Sequence, residues 1–193
     1  MGAYKSDYFW YVPVTKPKSM RKRILFLLVL FASLLESFAG PVAKKYVSFL
    51  TENGMLFFVR PMHMPKCDGN ETKYGMTFDI TYLSGDEDSV SFTTTIVTAK
   101  PIKLDSVNIR SEQLNVQKAT DLIYSEPYKG CYVSRMRFYI KWEEWKKLYQ
   151  ERHPYIIDFG TQLRYAFKSR QWKKKCEIMN GIIGTIEINK RQK

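Results

Sequence analysis

The chain of 193 residues contains three cysteines, two histidines and no glycine-rich loop. Its longest apolar run is 12 residues, Ile24–Leu35. A helix that crosses a bilayer needs roughly 20 apolar residues, so no lasting transmembrane segment is expected. No cysteine closely follows that run, which removes a lipid attachment site. Asp158-Phe-Gly160 copies a kinase tripeptide, but the glycine-rich loop, strand lysine and catalytic loop that give it meaning are missing. There is no internal repeat, low-complexity tract or sign of a second domain.

What is present starts at Met20. Met20-Arg-Lys-Arg23 precedes the apolar run, and Glu36-Ser-Phe-Ala-Gly40 follows it. A cationic start, an apolar stretch and a small-residue exit form the layout of a secretory signal. Ser37 and Ala39 occupy the −3 and −1 positions of an A-x-A-like site, so cleavage is expected after Ala39. An uncleaved anchor is the alternative. Residues 1–19 lie upstream of a complete signal, as an extension ahead of translation from Met20 or as a long n-region. Residues 40–193 then form one domain, exported to the periplasm or the cell surface.

Residues 1–39 hold six of the 31 Lys/Arg and two of the 19 Asp/Glu, leaving 25 basic and 17 acidic residues, a net charge of +8. Such a balance favours anionic surfaces such as lipid head groups or acidic polysaccharide. Export argues against nucleic acid as the partner. Cys67, Cys131 and Cys176 all lie beyond Ala39. In an oxidising compartment they allow one bridge at most, in any of three pairings, or three buried thiols.

Periodicity is mostly that of strands. Tyr46–Thr51 and Met55–Arg60 flank Glu52-Asn53-Gly54, which suggests a hairpin closed by a type I′ turn at Asn-Gly. A helix over 42–52 ended by Gly54 competes with it. Pro61 and Pro65 should break the pattern ahead of a polar loop over 66–73. Met76, Phe78, Ile80 and Tyr82 alternate with polar residues, as do Val90, Phe92, Thr94 and Ile96 after a turn over 84–88. Short strands follow at 106–110 and 121–125 around a polar, helix-compatible segment at 111–118. A longer strand spans 131–141, with Arg135, Arg137 and Lys141 on its polar face. Trp142, Trp145, Leu148 and Tyr149 predict a helix over 142–151, with Glu143 and Lys147 paired on its surface. Strands at 156–159 and 162–167 come next. Trp172, Cys176, Met179, Ile183 and Ile186 form a helical seam that runs across Gly181 and Gly184, with Ser169 as the N-cap. A helix ending at Gly181 and an edge strand at 182–188 is the alternative. Strands first and helices late describe an α+β domain: an antiparallel sheet or small β-sandwich with one or two C-terminal helices.

The strand ending Phe58-Val-Arg-Pro61, the hairpin Phe78-Asp-Ile-Thr-Tyr-Leu…Asp88-Ser-Val-Ser-Phe92 and Trp172-Lys-Lys…Ile178 resemble stretches of uncharacterised small exported proteins of Gram-negative bacteria. The resemblance covers most of the chain beyond Ala39 and implies no activity.

One short segment has ligand chemistry. Met62, His63, Met64 and Cys67 offer thioether, imidazole and thiolate groups that suit Cu(I). In a strand, Met62 and Met64 would share one face and His63 the other, so only a loop wrapped by Pro61 and Pro65 would gather them. A cysteine-dependent hydrolase would use Cys67 with His63 or His153, although no local signature surrounds either pair. Asp86, Glu87 and Asp88 lack the spacing of a calcium loop. Lys168, Arg170, Lys173, Lys174 and Lys175 surround Trp172 and could rest on a membrane surface, while Trp172 itself falls on the apolar seam. Asn70-Glu-Thr72 is a glycosylation sequon. The leading expectation is a non-catalytic binding or envelope-associated domain with no cofactor; a copper binder comes second and a small hydrolase third.

Overall fold

The alternating segments become two antiparallel sheets in the computed structural model, which describes residues 42–67, 74–84, 88–102, 104–161 and 163–191. The chain divides into two units, residues 1–39 and 40–193, and the described residues all belong to the second. After a 3₁₀ turn at Ala43–Lys45 come β1 (Tyr46–Thr51), β2 (Gly54–Met64), β3 (Met76–Ser84) and β4 (Ser89–Thr98). Next are β5 (Ser106–Arg110), β6 (Asn115–Ala119), β7 (Asp121–Tyr128) and β8 (Cys131–Lys141). Helix α1 (Trp142–Gln150), β9 (Ile156–Phe159), β10 (Leu163–Ala166) and helix α2 (Ser169–Arg191) complete the order. One sheet runs β1-β2-β3-β4-β8-β7 and the other β10-β9-β5-β6. This is an α+β fold, with its longer helix at the C-terminal end.

The core is where the two sequence periods meet. Phe78, Ile80, Phe92, Phe138 and Ile140 point inward from the large sheet and are almost fully buried. Phe78 stacks on Phe92 and Phe92 on Phe138, with ring centroids 5.9 and 5.3 Å apart. Helix α1 buries Trp142, Trp145, Leu148 and Tyr149, the four residues at helical spacing. Helix α2 is one continuous element across Gly181 and Gly184, and Trp172, Met179, Ile183 and Ile186 of its seam are buried. The indole Nε1 of Trp172 donates to the Glu151 carbonyl at 3.0 Å, which ties the start of α2 to the end of α1.

Four expectations change. The first hairpin forms, but Thr51 pairs with Gly54, so Glu52 and Asn53 are its central residues. Neither has positive φ, whereas Gly54 has φ 132°, so the turn is not type I′. The type I′ pattern of two successive positive φ values appears instead at Lys129 (50°) and Gly130 (74°), between β7 and β8. Residues 115–119 form a strand, because β6 pairs along β5 from Ser106↔Ala119 to Arg110↔Asn115. Glu143 pairs with Lys146 rather than Lys147, at 2.8 Å.

Pro61 does not end β2. The β2–β3 register passes from Val59↔Ile80 to Met62↔Phe78, three residues against two, which is a β-bulge. Proline has no N–H to give a ladder, so the bulge is where the strand tolerates it. The extra residue also resets the alternation. Met62 and Met64 therefore join Phe57 and Val59 on the inward side, while Arg60, Pro61 and His63 are exposed.

Candidate anion-binding cleft

The bulge of β2 faces the first three turns of α2 across a cleft of about 830 Å³. Arg170 and Lys174 lie four residues apart on α2, as do Gln171 and Lys175, with Ile178 one turn further on. These spacings set them on one face of the helix, beside the seam that packs inward. Arg60, Pro61, Met62 and His63 come from β2, and Lys44 and Lys45 from the 3₁₀ turn. Gly181 brings that turn close. A Cβ there would stand 2.8 Å from Cγ2 of Val42, so only glycine lets Val42 sit against α2, two residues ahead of Lys44. At the strand side, a Cβ on Gly75 would stand 2.4 Å from Cε1 of His63. Glycine there leaves room for the imidazole.

Six fixed cations thus line one cleft: Lys44, Lys45, Arg60, Arg170, Lys174 and Lys175. None of the described residues lining it is acidic. Six cations elsewhere are held by carboxylates. Arg110 and Arg164 both hold Asp158, Arg135 holds Asp79, Lys118 holds Glu144, Lys146 holds Glu143 and Glu187, and Lys190 holds Asp88. Among the described residues, none of the six cleft cations is in an ion pair. The first turn of α2 carries no acid either. A helix N-terminus favours negative side chains by roughly 0.3–1 kcal/mol each, so cations gathered there oppose the helix dipole.

Lys175 is partly withdrawn from water. Partial burial is the main influence that holds its pKa below the usual lysine value, and the charges of Lys45 and Lys174 add to it. Its Nζ lies 5.4 Å from the centroid of the Phe167 ring, a cation–π contact that offsets part of the lost hydration. The cleft has an apolar part as well. Val59 is buried, while Met62 and Ile178 are half-buried and pack against the core.

The four residues read as soft-metal ligands separate here. Met62 and His63 line the cleft. Met64 is fully buried in the core. Cys67 lies beyond Lys66, where its backbone N–H donates to the Arg164 carbonyl at 2.9 Å. The segment is a strand, and strand alternation sends His63 and Met64 to opposite faces. Six nearby positive charges also repel a metal cation. Among the described residues, no group of three or more His, Cys, Asp and Glu side chains could hold a metal ion.

The other candidates have structural occupations. None of the three cysteines is bonded to another. Burial pushes the Cys176 thiol up to about 11, with Glu177 adding to the effect. His153 is exposed and faces Glu112 at 3.4 Å. Asp158 of the kinase-like tripeptide accepts from Arg110 and Arg164, and Gly160 makes the turn into β10 with φ 59°. Asp88 bonds Lys190 at 2.8 Å, whereas residues 86 and 87 and the sequon at 70–72 lie outside the described residues. The basic cluster around Trp172 was visible in the sequence. That Lys44, Lys45 and Arg60 complete it was not, because they lie more than 100 residues away along the chain.

The fold defines the class: an α+β domain of two antiparallel sheets and two helices, the longer one C-terminal. Comparison with protein-family models, curated proteins and solved structures finds no match to this chain. No helix among the described residues is long and apolar enough to cross a membrane.

Proposed function

We propose that this chain is an exported, non-catalytic binding domain of the periplasm or cell surface, and that its cleft between β2 and α2 holds an anionic partner. The carrying observation is the set of six cations that line one cleft with no acidic residue among its described lining and no ion pair among the described residues. Like charges crowded on a helix start destabilise the fold, and such local conflicts concentrate where a ligand resolves them. The envelope setting supplies anionic surfaces, in keeping with the signal-like segment over 20–39.

Location-matched charge removal tests this reading. The purified protein is compared with Arg170→Ser/Lys174→Ser and with Lys147→Ser/Arg152→Ser, which removes two charges from exposed positions that do not line the cleft. Binding to vesicles of phosphatidylcholine containing phosphatidic acid is read by co-sedimentation in physiological salt. The cleft variant should lose at least tenfold in affinity and the other variant less than twofold. Equal losses in both would mean that diffuse surface charge, not the cleft, does the binding.

A further inference from the structure

Resting on the cleft being a ligand site, we infer that its ligand is an amphiphile whose head carries phosphate monoesters and whose apolar part lies against Val59, Met62 and Ile178. Size comes first. The cleft of about 830 Å³ is in the range of pockets that enclose whole organic ligands, and one inorganic ion would leave most of it to water. Charge comes second. A phosphate monoester has a second pKa near 6 and carries about −1.5 to −2 at neutral pH. Nearby cations favour the fully ionised form, so three such groups balance six cations. Carboxylates, sulfates or phosphodiesters would need six groups in the same space.

The mixed lining comes third. The cations stand beside an apolar strip made by Val59, Met62, Pro61 and Ile178. A purely ionic ligand would leave that strip wet. No Phe, Tyr or Trp is among the described lining residues, so the cleft offers no platform for stacking bases. That, with the single charge of a phosphodiester, sets nucleic acid below a phosphorylated amphiphile.

The donor types fit the same ligand. Arg60 and Arg170 present planar forks that can each take two oxygens of one phosphate, while the lysines act as point charges around it. Lys175 gains most. Its ammonium is already partly stripped of water, so an anion beside it restores what burial removed.

Three matched probes test the inference by calorimetry on the intact protein: dioctanoyl phosphatidylinositol bisphosphate, dioctanoyl phosphatidylinositol and inositol trisphosphate. The first has both monoesters and tails, the second tails without monoesters, the third phosphates without tails. The first should bind at least tenfold tighter than either of the others. Lys174→Met/Lys175→Met should weaken it at least tenfold. Met62→Ser/Ile178→Ser should weaken it about tenfold and leave inositol trisphosphate unchanged, with circular dichroism verifying that each variant is folded. Equal affinity for the two lipids overturns the monoester requirement. Equal affinity for the bisphosphate lipid and inositol trisphosphate overturns the amphiphile and identifies a free polyphosphate as the ligand type. Tighter binding of a sulfated oligosaccharide or a DNA oligonucleotide than of the first probe overturns it too. If no probe binds, or all bind without dependence on the cleft lysines, the binding reading itself fails.

Discussion

Glu151 and Lys175 are both drawn out of water, and they differ in what meets them. Glu151 is buried and its carboxylate accepts from the Glu112 and Gln113 N–H groups at 2.7 and 3.1 Å and from the Ser111 hydroxyl at 2.5 Å. It fastens the turn between β5 and β6 to the end of α1. Glu151→Ala leaves those donors unmet and should lower unfolding stability by about 3 kcal/mol, as read in urea melts. Lys175 has no such partners among the described residues, and its lowered pKa means that the fold disfavours its charge. For a base lowered on folding, the penalty is complete below the folded pKa and relieved as pH rises toward the ordinary lysine value. At pH 7 the penalty is therefore present, so Lys175→Met should raise the melting temperature there, and the difference should shrink above pH 10. A lower melting temperature for the variant at pH 7 would contradict this. Cys176, with its thiol raised to about 11, stays protonated near neutrality. Peptide mapping after brief iodoacetamide treatment at pH 8 should find it essentially unlabelled in the folded protein and labelled once urea is added.

At the scale of elements, strands and helices with one strong period were legible from the chain. The pairs Met76–Tyr82 and Val90–Ile96, the helix carrying Trp142 and Trp145, and the seam of α2 all occupy the faces their spacing demands. What the chain concealed depends on partners distant in sequence. Residues 115–119 look polar in isolation and become a strand only because β5 supplies a ladder on one side. Pro61 reads as a stop until the bulge, set by pairing with β3, absorbs it. The bulge then decides which side chains face α2, so half of the cleft could not be read from local pattern at all. The two glycines of α2 show the same difference. Gly184 has nothing within 4 Å of an added Cβ, so Gly184→Ala should gain about 1 kcal/mol from helix propensity alone. Gly181→Ala meets Val42 at 2.8 Å, which should cancel that gain and push the turn bearing Lys44 and Lys45 away from the helix. Thermal melts of the two variants separate the effects: Gly184→Ala rises, and Gly181→Ala does not.

For the molecule as a whole, charge is gathered unevenly, in a way that neither composition nor fold class conveys. Six cations outside the cleft, Arg110, Lys118, Arg135, Lys146, Arg164 and Lys190, are bound to carboxylates, while six others gather around one cleft whose described lining has no acid. Exposed like charges repel over a Debye length of about 8 Å in physiological salt, so the arrangement should be eased by added salt as well as by a ligand. Thermal unfolding reads this repulsion with and without an anion to relieve it. The protein and its Lys174→Met/Lys175→Met variant are melted in low salt, each with and without inositol trisphosphate. If the cleft is a site held open against its own charge, the variant melts higher than the parent when no anion is present, and the anion raises the parent's melting temperature but not the variant's. A variant that melts lower, or one that responds to the anion as strongly as the parent does, would contradict the account.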